Sequence, residues 1–215
     1  MIQHVYERAS LAGSISGVIV ACDDERILDA VHAFGGRAVM TRTDHRSGTD
    51  RVAEAARAVE ADIIVNLQGD EPLIDPDDID LAVEPLLADP ECLMSTLVTP
   101  IIRSDELDDP ACVKAVVDQR GYALYFSRAQ VPYCRTVQAI AEQVVYKHIG
   151  LYAYRREFLF KYTALPPTPL QMAESLEQLK ILENGYRIRC VRTDRDSIGV
   201  DTEKDLERVR ELLGG

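Results

Sequence analysis

The sequence predicts an α/β protein. Its sheet is Rossmann-like and mainly parallel, with helices on both faces and an antiparallel insertion in the second half. Three observations predict this. Short apolar runs rich in Val and Ile alternate with longer amphipathic stretches along the chain, the signature of strand–helix–strand units. Helix caps fall at the junctions between them. VKAVVD (113–118) and YALYFS (122–127) follow one another with no helix between, which is a hairpin rather than a crossover. The chain has 215 residues, 47 % of them apolar, enough for one large core, and 1–215 is read as a single domain.

The elements follow in order. MIQHVYERAS reads as a helix with Ile2, Val5 and Tyr6 on one side. GVIVAC (17–22) is a strand, DDERILDAVHAFG a helix ending at Gly35, and RAVM (37–40) a short strand. SGTDRVAEAARAVEA is a helix with Ser47 or Thr49 as its cap. DIIVNLQ (62–68) reads as a buried strand. DPDDIDLAVEPLLAD is a helix capped by Asp75 with Pro76 in its first turn. LMSTLVTPI (93–101) is a strand, and the hairpin after it turns at Gln119-Arg120-Gly121. HIGLYAY (148–154) is a strand. PLQMAESLEQLKILENG reads as one long helix stopping at Gly185. RIRCVR (187–192) is a strand, and TEKDLERVRELL closes the chain with Thr202 and Asp205 spaced as a capping box. The opening helix has no strand or loop before it, whereas a doubly wound sheet opens with both.

Composition excludes several classes. A net charge of −12 repels a phosphate backbone, so no nucleic-acid partner is expected. No apolar run is long enough to span a membrane, and the N-terminus lacks a signal-peptide core. The five cysteines are scattered without a CxxC pair, which argues against structural zinc or a disulfide framework and for a reducing cytoplasm. GxGxxG and GxxxxGK[ST] are both absent, so the usual NAD and P-loop readings fall away.

The candidate chemistry lies at strand ends. VNLQGDEPLI (65–74) delivers Asp70 and Glu71 where ligands bind in open α/β sheets, with no Lys or Arg between Asn66 and Asp80. Asp201 in IGVDTEKDL (198–206) occupies a similar junction. Single carboxylates from distant segments suit Mg²⁺, which keeps water and phosphate oxygens for its other positions. Both are also ordinary turn or cap residues. Ser47 and Gly48 open a helix whose free N–H groups can grip a phosphate or a base edge, or simply form a capped start. Arg128, Arg135, His148 and Tyr152 are a scattered set. His148 and Tyr152 share a strand face, and a guanidinium pairs a carboxylate bidentately. Glu177 and Gln178 read by default as a solvated helix face.

These stretches resemble one family. MTRTDHRSGTDR, IIVNLQGDEPLI, GYALYFSRAQVPY, KHIGLYAYRREF, LEQLKILENGYRI and GVDTEKDLERV are similar, in order, to the 3-deoxy-manno-octulosonate (Kdo) cytidylyltransferases. The resemblance implies a nucleotidyltransferase fold whose stretch at roughly 120–165 serves sugar-acid binding and homodimerisation. It implies Mg²⁺-dependent joining of CTP and Kdo into CMP-Kdo and pyrophosphate, for lipopolysaccharide assembly in the cytoplasm. By resemblance Asp70 and Asp201 are metal ligands. Ser47 and Gly48, with His45 and Thr49 beside them, meet the cytidine. Gln68, Arg128, Arg135, His148, Tyr152, Glu177 and Gln178 line the sugar-acid pocket. The family's opening strand and its PAR…K phosphate loop have no counterpart here. Unpaired strand edges are therefore expected, along with weak or absent activity in a chain shortened at its N-terminus. Two alternatives stay open: a cytidylyltransferase for a related acid, an 8-amino Kdo or a sialic acid, and a non-catalytic nucleotide- or sugar-binding paralogue.

Overall fold

A computed structural model of the chain describes residues 1–135, 145–196, 199–200 and 202–213. The first half alternates as the sequence predicts: α1 (Ile2–Ala9), β1 (Val20–Cys22), α2 (Glu25–Ala33), β2 (Ala38–Met40), α3 (Gly48–Ala56), β3 (Ile63–Asn66) and α4 (Pro76–Ala88). The second half holds β4 (Met94–Pro100), α5 (Asp105–Asp108), β5 (Lys114–Val117), β6 (Ala123–Ser127) and β7 (Tyr146–Arg155). It ends with α6 (Arg156–Thr163), α7 (Pro169–Glu174), α8 (Leu179–Glu183), β8 (Arg189–Arg192) and α9 (Glu203–Leu213).

Local chemistry sets the boundaries. Ser47 caps α3 by accepting from the Asp50 N–H at 3.1 Å, so of the two candidate caps it is Ser47 that serves. Asp75 caps α4 through the Asp77 N–H, with Pro76 at the first position. The β5–β6 hairpin turns on Asp118, whose Oδ1 accepts from the N–H groups of Arg120 and Tyr122, and Gly121 takes the left-handed φ of +79°. Thr202 and Asp205 exchange the hydrogen bonds of a capping box ahead of α9.

The main sheet is mixed, in the order β6-β5-β7-β4-β8, with β3 also paired to β7. Strands β3, β4 and β5 each run antiparallel to β7, and β8 runs parallel to β4. So β3, β4, β5 and β8 point one way, as a parallel α/β sheet requires. Most ladders are nevertheless antiparallel, because the ten-residue β7 inserts between them. Apolar clusters cover both faces. Ile79, Val83 and Leu86 of α4 and Ala9 of α1 pack on Leu97, Leu151 and Ala153. Ala53, Phe158, Leu159 and Ile181 pack on the other face against Met94, Val98 and Tyr154.

Two expectations are corrected. PLQMAESLEQLKILENG is not one helix: α7 stops at Glu174, and Ser175 takes the left-handed conformation at φ +52°. A side chain at positive φ is strained, and such strain gathers at functional sites. The break turns Glu177 and Gln178 inward rather than leaving them on a solvated face. The segment 62–68 is also not a fully buried strand, since Ile63, Ile64 and Val65 are half-buried. Their exposure has a plain cause. Among the described residues β1 and β2 pair only with each other, and β3 pairs only with β7. A cavity of about 830 Å³ lies between β1 and β3, lined by Tyr6, Ala9, Val20, Cys22, Ile64 and Val65 among others. The facing edges of β1 and β3 line it.

Candidate active site at the carboxyl end of the third strand

Four segments converge where β3 ends. Asn66, the last residue of β3, is buried and donates from Nδ2 to Thr49 Oγ1 at 3.1 Å. Thr49, in the first turn of α3, is fully buried and donates from the same hydroxyl to Glu177 Oε1 at 2.7 Å. The Tyr162 hydroxyl donates to the Glu177 main-chain oxygen at 3.0 Å. One buried hydrogen-bond chain thus ties β3, the α3 N-terminus and the turn before α8.

Glu177 is held under stress. Burial raises its carboxyl above the usual range, and the hydroxyls of Thr49 and Ser47 oppose that rise. Only the Thr49 hydroxyl meets hydrogen-bond geometry. Glu177 Oε2 and Gln178 Nε2 are buried without a partner. Unpaired polar atoms in a native interior call for an explanation, and a polar ligand is one. Gln68 lies beside this network. A Cβ on Gly48 would meet both atoms of the Gln68 amide at 3.8 Å, and one on Gly150 would meet Gln68 Cγ at 4.0 Å. The nucleotide-loop candidates and the sugar-pocket candidates therefore share one place.

Asp70 and Glu71 follow in the loop after β3. The Val200 N–H donates to the Asp70 carbonyl at 2.9 Å, and a Cβ on Gly199 would meet Glu71 Oε1 at 3.5 Å. Asp201 lies outside the described residues. Among the described residues no group of three His, Cys, Asp or Glu side chains forms a metal-binding set. The donor chemistry still fits Mg²⁺, which needs only one or two protein carboxylates, all hard oxygen.

The aromatic face of β7 forms a second wall. His148 packs between Phe126 and Tyr152, with centroids at 5.1 and 5.3 Å, and its Nε2 lies 2.9 Å from Thr96 Oγ1. Burial lowers its pKa to about 4, so the imidazole is neutral near pH 7. Arg128 is fixed by main-chain carbonyls, donating to Glu174, Pro110 and Ser175. Its own N–H and the Ser127 hydroxyl donate to the Glu174 carboxylate. A guanidinium has five N–H donors, so this anchoring leaves donors for a ligand carboxylate.

Two candidates stand apart. His45 is bonded through Nε2 to Glu54, a residue the sequence did not flag. Arg135 is exposed beside 136–144, which lie outside the described residues. Asn66, Thr96 and Glu174 were also missed. Asn66 and Thr96 had a readable signal as polar residues inside apolar strand runs. Glu174 had none.

A family model for cytidylyltransferases matches residues 1–188. The 3-deoxy-manno-octulosonate cytidylyltransferase of Geotalea uraniireducens is 55 % identical over 221 residues, covering 99 % of this chain and 88 % of its own. The chain belongs to the 3-deoxy-manno-octulosonate cytidylyltransferase family. The Solibacter usitatus member is likewise 55 % identical, over 99 % of this chain and 84 % of its own. A solved structure of CMP:2-keto-3-deoxy-manno-octonic acid synthetase complexed with CTP matches with a TM-score of 0.92 at 47 % identity, over 99 % of this chain and 87 % of that one. A 4-diphosphocytidyl-2C-methyl-D-erythritol synthase from Anaerococcus prevotii matches at 14 % identity and a TM-score of 0.63, a likeness of fold alone.

Proposed function

We propose that this chain transfers the cytidylyl group of CTP to Kdo, giving CMP-Kdo and pyrophosphate and so supplying activated sugar acid for lipopolysaccharide synthesis. The anomeric oxygen bonds to the α-phosphorus, the bond to the β-phosphate oxygen breaks, pyrophosphate leaves and the hydroxyl proton is released. Both substrates are anions that repel, so the work is positioning and charge compensation.

The observation that carries this reading is the buried Asn66–Thr49–Glu177 chain, which fastens the α3 loop to the turn bearing Glu177 and Gln178. Ser47 and Gly48 hold the cytidine, with Thr49 behind them. Gln68, His148, Tyr152, Glu177 and Gln178 take the sugar hydroxyls, and Arg128, helped by Arg135, takes the carboxylate. His45, tied to Glu54, shapes the loop. Asp70 and Asp201 would hold Mg²⁺. When bound, it compensates phosphate charge and lowers the pKa of a coordinated hydroxyl. The loop that carries the Asp70 carboxylate is pinned by the Val200 N–H, which donates to the Asp70 main-chain oxygen. Exposed Ile102, Leu124 and Tyr133 in the second half support a homodimer. The reaction is placed in the cytoplasm, and no helix among the described residues is long and apolar enough to cross a membrane.

The test is product analysis by ³¹P NMR with CTP, Mg²⁺ and either Kdo or a sialic acid. A new phosphodiester signal with Kdo is expected. A signal only with the sialic acid would overturn the substrate assignment.

A further inference from the structure

Strand β7 carries a bulge where it passes Thr96. Thr96 pairs with Tyr152 and Leu97 with Ile149, so Gly150 and Leu151 are extra on β7. The bulge turns three groups onto one hydroxyl. Thr96 Oγ1 donates to the Leu151 carbonyl at 2.8 Å and to the Ile149 carbonyl at 3.2 Å, and lies 2.9 Å from His148 Nε2. Thr96 is fully buried, so water does not supply these partners.

A hydroxyl has one proton and two lone pairs. Carbonyl oxygens only accept, so the Thr96 proton points to them. Were it turned to His148, carbonyl oxygens at 2.8 and 3.2 Å would face an oxygen with no proton between. The Thr96 lone pairs therefore face the ring, and Nε2 must be the donor. The hydrogen bond at one ring nitrogen decides what the other can do. Among the described residues Nδ1 has no hydrogen-bond partner, nor does it count among the buried unpartnered atoms. It is open to a ligand, and the Phe126 and Tyr152 rings fix the plane in which its lone pair lies.

We propose that Thr96 is a positioning residue that locks His148 as the Nε2–H tautomer, so that Nδ1 offers a lone pair to a donor hydroxyl of the sugar acid. This rests on the reading of His148 as part of the sugar pocket. It adds a polarity to that pocket: His148 accepts from a hydroxyl and repels a bare carboxylate, which leaves the carboxylate to Arg128. Low ring basicity, from burial, keeps the lone pair unprotonated at neutral pH.

The test reads the tautomer first, without substrate. The chain has four histidines, so a two-bond ¹⁵N–¹H spectrum of the ¹⁵N-histidine protein is simple, and His148 is assigned by its loss in His148→Asn. Protonated Nε2 and unprotonated Nδ1 are expected in the parent chain, with a shift toward Nδ1–H in Thr96→Val and recovery in Thr96→Ser. In turnover, Thr96→Val should raise KM for the sugar acid about 5- to 10-fold, the size of one lost hydrogen bond, and leave KM for CTP within about twofold. Thr96→Ser should recover most of it. A parent chain protonated on Nδ1, or a tautomer unmoved in Thr96→Val, overturns the lock. The expected tautomer with an unmoved KM overturns the contact to sugar. Turnover of CTP that does not depend on the sugar acid overturns the cytidylyl-transfer reading and the hydroxyl partner with it, while the spectrum still decides the lock.

Discussion

Glu177→Gln separates stability from function at this site. The substitution keeps the shape and an oxygen to accept from Thr49, replaces a charged acceptor by a neutral one, and puts a donor where Oε2 now has no partner. Weakening the Thr49 bond costs about 1 kcal/mol, and removing an incompletely paired buried charge returns about 1–3 kcal/mol. The variant should therefore be as stable as the parent at pH 7, or more stable by up to about 2 kcal/mol. That is a Tm rise of up to about 5 °C for a chain of this size. The sign of the pH dependence follows from the raised carboxyl. The folded state holds its proton more tightly than the unfolded one. The stabilisation this gives is complete below the ordinary carboxylate pKa of about 4.3 and is lost as pH rises through the folded value. The advantage of Glu177→Gln should thus be absent near pH 4 and grow toward neutrality. Urea midpoints of both proteins from pH 4 to 8 measure it. Turnover should fall about tenfold or more as sugar hydroxyls lose a charged acceptor. A variant less stable than the parent at pH 7, with the deficit shrinking toward acid, would refute the claim of a strained, function-bearing carboxylate.

Thr49→Val strands the Asn66 amide and the Glu177 carboxylate together, so it should cost about 2–3 kcal/mol in urea unfolding and weaken CTP binding in calorimetry. Arg128→Ala should raise KM for the sugar acid about 100-fold with KM for CTP little changed, and Arg128→Lys should recover little, since the fork spans separate carbonyls. His148 is held near pKa 4 by burial, below its unfolded value of about 6.5. The stability it confers is present above pH 6.5 and lost as pH falls toward 4, so His148→Asn should flatten the parent chain's acid destabilisation in that window. Ser47→Ala removes the α3 cap and should lower stability by about 1 kcal/mol in thermal melts.

Much of this was legible in the sequence because local chemistry decides it. Asp75 and Pro76, the Thr202–Asp205 box and the Gly121 turn each carry their own structural reason within a few residues. The strand-end position of Asp70 was legible from the apolar run before it. What was not legible depends on distant parts of the chain. The break at Ser175 is invisible in a helical period, because Arg128 and Glu174 stabilise it from elements 46 residues apart. The direction of β7 relative to β3 and β4 is set by sheet insertion, which periodicity does not encode. Thr96 reads as one polar residue in an apolar strand until the bulge opposite it is seen.

Pyrophosphate release from CTP, dependent on Kdo and Mg²⁺, tests the central claim most directly when the parent chain and Asp70→Asn are compared. The predicted result is release by the parent only when Kdo is present, with one CMP-Kdo formed per pyrophosphate, and a loss of at least about 100-fold in folded Asp70→Asn. Release by the parent that does not depend on Kdo, or undiminished release by Asp70→Asn, would contradict a cytidylyltransferase site at the end of β3.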